Sequence, residues 1–322
     1  MSKVFEAIDF LSKLMGELQK ENPDIKLIEL YISKLSKEEI ETISSLIIEN
    51  CGIPVNIGRL TSLKSLRIRN TDLQVLPDVI GYLFGLEYLE ISQNRYLKKI
   101  PDSIRNLSNL TKLHIVNNPL LEEISDTIGI MQGLESIFIA QNVSLTSIPD
   151  TIGDLSRLKV LDIRYNKISE LPESIGKLLN LEILIISNNI ISKFHDSICN
   201  NTRLKHLECE FNQITKLPSC IGNLKDLTYL NFKGNQVTEL PSCIGNLRNL
   251  KHLKASNNAI SIIPESLKSL SRLETLNLSD NNIYDIPNGI FCHLSSLYSL
   301  GIKNNHLEAF PRSVGNITIL DY

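Results

Sequence analysis

Residues 158–180 read LKVLDIRYNKISELPESIGKLLN, and the same pattern returns every 23 or 24 residues from Leu63 onward. The first leucines of the units are Leu63, Leu86, Leu110, Leu134, Leu158, Leu181, Leu204, Leu227, Leu250, Leu273 and Leu297, eleven in all. Such a period marks an array in which no unit can bury its apolar face alone, so that stability comes from stacking neighbours. Within a unit the fourth and sixth residues are apolar and their neighbours polar, as in Leu161-Asp162-Ile163 and Leu276-Asn277-Leu278. A half-buried strand alternates in this way, which sends positions four and six inward and positions three, five and seven outward.

The ninth residue is Asn in ten of the eleven units, with Thr71 the exception. An amide at this place turns inward and pairs with backbone groups left free where the chain leaves the strand. Nine units carry a proline on the return limb, Pro77, Pro101, Pro149, Pro172, Pro218, Pro241, Pro264, Pro287 and Pro311, with Ser125 and His195 in the other two. Proline fixes φ and withholds an N–H where no sheet partner is available. At the inward sixth position the run Ile186, Cys209, Phe232, Ala255, Leu278 sets one large ring between two small residues, which places Phe232 in the core.

The repeat L-x-x-L-x-x-L-x-L-x-x-N-x-(I/L)-x-x-(I/L)-P-x-x-I-G-x-L resembles that of the Ras-group leucine-rich-repeat proteins over roughly residues 53–320, with the Leu, Asn, Pro and Ile-Gly positions carrying the likeness. The fold this implies is α/β: a leucine-rich-repeat solenoid with a curved parallel sheet on its concave face, short helical or irregular convex limbs, and a helical N-terminal cap. The resemblance implies protein binding on the concave sheet, although a fold does not fix a function.

Residues 1–62 depart from the pattern and read as a cap with an enlarged first repeat, ahead of eleven repeats over 63–322. Val4, Ile8, Leu11, Met15 and Leu18 recur at helical spacing up to about Lys20, and Asn22-Pro23 ends the helix. Leu27-Ile28-Glu29-Leu30-Tyr31-Ile32 repeats the strand signature without the Asn. Ser36 and Glu39 form a capping box that opens a second helix expected to run to about Ile48. An edge strand needs such a cover. At the other end the chain reads Leu320-Asp321-Tyr322, and the last coil is expected to be blunted by Phe310, Ile317, Ile319 and Tyr322, continued by a further segment, or paired end to end with a second copy.

Composition narrows the function. With 33 Lys and Arg against 36 Asp and Glu, the net charge is −3 and the signs are mixed, so neither a nucleic-acid footprint nor a polybasic membrane patch is present. Apolar runs such as Ile183-Leu184-Ile185-Ile186 are too short to span a bilayer, and no signal segment opens the chain. Cys51, Cys199, Cys209, Cys220, Cys243 and Cys292 are scattered without metal-ligand spacing and read as free thiols, with a Cys220–Cys243 bridge as the alternative, since these two lie one repeat apart on adjacent coils. These features predict a cytoplasmic protein, or one delivered into a host cell in the manner of a bacterial effector. Sequons occur at Asn106, Asn109, Asn142, Asn200, Asn277 and Asn316, of which Asn142 is expected to be buried.

No phosphate loop, nucleophile elbow or Cys-His pairing stands outside repeat positions. Asp162, Glu208 and Glu210 form an acidic strip that would be the seat of a metal or acid–base site if the chain were an enzyme, but a solvated strip is the simpler reading. No enzyme, cofactor or metal is predicted. Outward positions of the fourth to eighth repeats carry Phe138, Val160, Tyr165, Ile183, Ile185, Phe211 and Tyr229, ringed by Asp162, Arg164, His206, Glu208, Glu210, Asn231 and Lys233. An aromatic and aliphatic cluster rimmed by charge has the anatomy of a binding hot spot. The sequence thus predicts a protein-interaction module, monomeric or weakly dimeric, that docks a protein partner between Phe138 and Lys233.

Overall fold

The computed structural model describes residues 2–308 and 318–319, with side chains from Phe10 to Glu308. Expectations for Val4, Ile8, Phe310, Pro311, Ile317, Ile319 and Leu320-Asp321-Tyr322 lie outside what is described. Two compact units divide the chain, Met1–Leu158 and Lys159–Tyr322.

The first unit opens with three helices: α1, Ser2–Leu18; α2, Ile25–Lys34; and α3, Lys37–Thr42. Among the described side chains of α1, Leu14 and Glu17 are buried, with Leu11, Met15 and Leu18 half-buried beside them. Glu17 is tolerated because it accepts the Asp24 N–H at 2.8 Å and pairs with Lys20. The strand expected over residues 27–32 is instead α2. Asp24 caps it by accepting from Lys26 and Leu27, and Ile28 and Ile32 bury one face at i, i+4. A cap and a helical stripe coincided with a strand signature, and the cap decided the outcome. The Ser36–Glu39 capping box forms as expected, with Glu39 N donating to Ser36 Oγ and Ser36 N to Glu39 Oε2. The helix it opens, however, stops at Thr42, not Ile48.

Beyond Thr42 the chain forms a coil that the periodicity does not reveal. Strand β1, Ser45–Glu49, buries Leu46 and Ile48 and pairs in parallel with β2, Ser65–Arg69. Ile43 holds the leucine position and Cys51 the asparagine position, so the array begins 20 residues before Leu63. Arg59 on the return limb donates to the last carbonyls of α2, at Ile32 and Leu35, and so ties the cap to the first coil. β3, Tyr88–Ser92, β4, Lys112–Val116, and β5, Ser136–Ala140, continue the parallel order in unbroken register.

The second unit repeats this construction with three-residue strands: β6, Val160–Asp162; β7, Ile183–Ile185; β8, His206–Glu208; β9, Tyr229–Asn231; β10, His252–Lys254; β11, Thr275–Asn277; and β12, Ser299–Gly301. A two-residue strand β13, Thr318–Ile319, closes the order. Return limbs are short 3-10 turns, joined in one coil by the four-residue helix α4, Ile290–His293. Most turns start after the proline, and Ser125 and His195 adopt the same extended backbone as the prolines they replace (φ −63° and −82°), so these two coils keep the turn without the ring.

The first leucines from Leu63 to Leu297 are all buried, as are Cys209, Phe232 and Ala255 on the inward sixth row. The ninth-position asparagines pair as expected. Asn118 in the first unit accepts the Asn94 N–H, and Asn212 in the second accepts the Ile191 N–H; both Nδ2 groups donate to carbonyls of the preceding coil. Thr71 joins the series by donating both its N–H and its hydroxyl to Asn94 Oδ1. Asn142 is fully buried, which excludes a glycan on that sequon in the folded chain. Two cysteines are not thiols: Cys199 and Cys220 form a disulfide with Cα atoms 5.9 Å apart, while Cys243 remains unbridged.

Candidate functional site

Parallel register lines up outward residues of equal position on adjacent strands. In the second unit the third-position row runs Val160, Ile183, His206, Tyr229, His252, Thr275, and the fifth-position row Asp162, Ile185, Glu208, Asn231, Lys254. His206 stacks on Tyr229 with centroids 4.2 Å apart and planes 5° from parallel, and Tyr229 meets His252 at 5.9 Å. Lys254 lies over the Tyr229 ring at 5.2 Å, and its hydrogen bond to Tyr229 raises the ammonium pKa. His252 continues the row into Thr275 Oγ1 at 3.0 Å.

The acidic residues sit differently from the solvated strip expected. Asp162 is buried, although it occupies an outward position, because Arg164 folds back over it. The Arg164 backbone N–H and guanidinium both donate to the carboxylate, with Nε to Oδ2 at 2.8 Å. Glu208 takes a 2.9 Å hydrogen bond from His206, which holds its carboxyl below the usual range. Glu210 accepts from Asn231 Nδ2 at 2.7 Å, and Asn231 is itself buried. Among the described residues no group of three or more His, Cys, Asp or Glu is placed to hold a metal ion. Val160, Ile183 and Ile185 are half-buried among these groups.

Tyr165 and Phe211 stand apart from the rest. Both occupy the eighth position, where the chain turns out of the strand with positive φ in every coil from Asn50 to Asn304. Elsewhere this column holds Asn, Gln, Asp or Gly, residues that accept or are suited to the left-handed region. Tyr165 (φ 57°) and Phe211 (φ 52°) are bulky residues held there, and they are 48% and 45% exposed. The Phe211 ring leans onto Gly234, the glycine of the column, where a Cβ would stand 2.6 Å from the ring. Lys233 covers the ring at 5.7 Å. Asn188 occupies the same column between the two aromatics, and exposed Ile190 follows just beyond it. The odd aromatics in an amide column were readable in the sequence, but their backbone conformation was not.

Phe138 belongs to the first unit. It is half-buried against His114 (centroids 4.5 Å), which in turn meets Tyr88 at 5.0 Å. Arg67 covers the Tyr88 ring, and Glu90 gathers Arg67, Arg69, Tyr88 and Ser92. Burial alone would raise the Glu90 carboxyl, but hydrogen bonds from Tyr88, Ser92 and Arg69 outweigh it and leave the pKa lowered. Sequence reasoning found Phe138 but missed the rest of this cluster, because its members are spread over four units of the repeat.

Leucine-rich-repeat profiles match residues 61–120, 132–191 and 255–307, together more than half of the chain, and a second profile, the leucine-rich repeat region, matches 190–277. The chain belongs to the leucine-rich-repeat family. Among curated proteins no significant match is found. A leucine-rich-repeat protein of Leptospira interrogans is 25% identical with a TM-score of 0.57, covering 96% of this chain and 91% of its own. An internalin of Listeria monocytogenes, at 22% identity and TM-score 0.66, covers 98% and 94% and shares the fold. A plant peptide hormone receptor solved in complex with RGF2 is 27% identical with a TM-score of 0.67; the match covers 84% of this chain, which spans about half of the receptor. Among the described residues no helix is long and apolar enough to cross a membrane.

Proposed function

We propose that this chain is a protein-binding module of the Ras-group type, without catalysis of its own, and that a protein partner docks on the outward face of the second unit with Tyr165 and Phe211 as its anchors. One observation carries the reading: two large exposed aromatics are held in left-handed backbone where the other coils place amides, Asp or Gly. Strain at an exposed surface position is tolerated when the side chain serves a contact, and each such residue costs about 1–3 kcal/mol. Around them Arg164, His206, Glu208, Glu210 and Lys233 supply a charged rim whose members are already oriented by hydrogen bonds and a ring contact. Preorganised rims lose little side-chain entropy on binding. Ile183, Ile185 and Tyr229 form the flatter apolar ground between, and Phe138 is the matching candidate on the first unit. The peptide complex of the plant receptor supports a polypeptide ligand over a small molecule.

The test uses Asn, the commonest residue of the column. Partners captured by the wild-type chain are re-measured by titration calorimetry against Tyr165→Asn and Phe211→Asn. Each change is expected to weaken binding by about 2 kcal/mol, roughly thirty-fold, without loss of thermal stability. A partner that binds the double variant as tightly as wild type removes this site. Phe138→Ala and Ile185→Ala serve as further arms.

A further inference from the structure

At five coil junctions the glycine of the Ile-Gly pair faces a small residue of the next coil: Gly81 faces Ser103, Gly129 Thr151, Gly176 Ser197, Gly222 Cys243, and Gly245 Ser266. A Cβ on any of these glycines would press into the facing residue's carbonyl oxygen and come within 2.7–3.0 Å of its Cβ. At these five junctions a side chain would force the coils apart. Other coils replace this glycine, with Arg105 in the first unit and Lys268 and Cys199 in the second, and the last of these meets a cysteine. Cys199 stands in the glycine position, and the residue facing it is Cys220.

The two substitutions explain each other. Where two Cβ atoms must point at one another across a close approach, a covalent bridge, which needs Cβ atoms about 3.8 Å apart, demands the least widening. Two unlinked thiols need several tenths of an ångström to an ångström more, because their sulfurs stay at van der Waals distance. The same coil is also tied backwards. Asn201 replaces the leucine seen at Leu178 and Leu224, is fully buried, and donates to the carbonyls of Ile175 and Leu178 in the preceding coil. The coil of residues 181–203 is thus held on one side by an amide and on the other by sulfur.

We infer that Cys199 and Cys220 form a thiol–disulfide exchange site whose oxidised state is the working form of this chain, so that the protein matures in an oxidising compartment. Free cysteines were one ground of the cytoplasmic expectation, and the bridge removes that ground. In formation, the Cys220 thiolate attacks a disulfide oxidant such as glutathione disulfide and expels one thiolate. Cys199 then displaces the second thiol, so two protein thiols become one S–S bond and the oxidant leaves as two thiols. In reduction an external thiolate reaches half-exposed Cys220, and the leaving sulfur is that of buried Cys199. A thiolate released into an apolar junction is a poor leaving group, which makes the bridge slow to reduce.

The experiment refolds the full chain in a glutathione redox buffer, alkylates it, and maps peptides by mass spectrometry. A Cys199–Cys220 linked peptide is expected, and recovery of both as alkylated thiols overturns the proposal. Thermal melts with and without reductant then compare wild type with two double variants. Reduced wild type should melt about 5 °C lower than oxidised. Cys199→Gly with Cys220→Ser restores the usual junction and should melt within about 2 °C of oxidised wild type, indifferent to reductant. Cys199→Ser with Cys220→Ser leaves a side chain in the glycine position with no bond and should melt no higher than reduced wild type. If the two double variants melt together, the junction tolerates an unlinked side chain and the inference falls.

Discussion

The inward sixth row differs between the two units. In the first it reads Ile48, Ile68, Ile91, Ile115, Ile139, the same branched side chain in every coil, all buried. In the second it reads Ile163, Ile186, Cys209, Phe232, Ala255, Leu278, Ile302, equally buried but unequal in size. Identical neighbours make each first-unit coil interchangeable with the next. The second unit reaches the same density through pairwise compensation, the Phe232 ring occupying volume that Cys209 and Ala255 release. A uniform row leaves a coil no individuality, whereas a compensated one binds particular coils to particular neighbours. The Cys199–Cys220 bridge and the Phe211–Gly234 contact obey the same logic, and both lie in the second unit.

The largest expected effect breaks this compensation. Phe232→Ala removes the ring between two residues already small and should cost about 3–5 kcal/mol in chemical denaturation. Cys209→Ile alone should over-pack and cost about 1–3 kcal/mol. Converting Cys209, Phe232 and Ala255 together to Ile imposes the first unit's row on the second and should recover most of the loss. A triple variant no better than Phe232→Ala would show that the second unit's backbone, not only its side chains, is shaped around the ring.

Hydrogen-bonded asparagines extend the comparison. Asn94 Nδ2 and N both donate to Asn118 Oδ1, and Asn118 makes the same two bonds to Asn142, so first-unit amides are chained directly. In the second unit the pair Asn212 and Asn235 is joined differently: both donate to the Cys209 carbonyl, and their Oδ1 atoms take backbone N–H groups from Ile191 and Ile214. Each Asn→Ala should cost about 1–3 kcal/mol. A double-mutant cycle should give about 1 kcal/mol of coupling for Asn94 with Asn118, and under about 0.5 kcal/mol for Asn212 with Asn235. Equal coupling in both cycles would remove the distinction.

These features were unequally legible. The buried leucines, the asparagines and Phe232 follow from one-dimensional periodicity, because each acts at a fixed offset within its own unit. Periodicity misled where a second local signal competed, as at Leu27 to Ile32, where Asp24 capped a helix. It was silent where the template residues were replaced together, as in the coil of Ile43 and Cys51. The acidic strip failed for another reason: Asp162 is outward by register, yet Arg164, two residues on, closes over it. The disulfide was readable only with the knowledge that the Ile-Gly glycine of one coil faces the serine position of the next. By that alignment Cys199 and Cys220 meet, whereas Cys220 and Cys243, the pair one repeat apart, do not share a junction contact of that kind.

A smaller effect carries the opposite sign to most substitutions. Tyr165→Asn and Phe211→Asn should each stabilise the second unit by about 0.5–1 kcal/mol, since Asn enters the left-handed region more readily than a bulky aromatic. The first unit offers the control: Asn117→Tyr, at the same column with φ 57°, should destabilise by a like amount. If Phe211→Asn lowers stability, the contact with Gly234 outweighs the backbone strain, and the ring is then held for packing, not for a partner.

The smallest effect separates the two polar clusters by pH. Glu90 and Glu208 both have lowered pKa values, through Tyr88, Ser92 and Arg69 against the opposing effect of burial in one case, and through His206 in the other. A carboxyl whose folded pKa lies below its unfolded value of about 4.3 stabilises the fold above that value, and the contribution is lost as pH falls through the folded pKa. Wild type should therefore lose stability on the acid side of about pH 4–5, and Glu90→Gln and Glu208→Gln should each flatten that limb by about 1 kcal/mol or less. Glu90 gathers two arginines, a phenol and a hydroxyl, while Glu208 has one imidazole as its direct partner, so Glu90→Gln should flatten the limb more. Melting curves from pH 3 to 7 on the three chains decide it, and an acid limb unchanged in Glu90→Gln would show that its bonds only replace those the carboxylate makes with water.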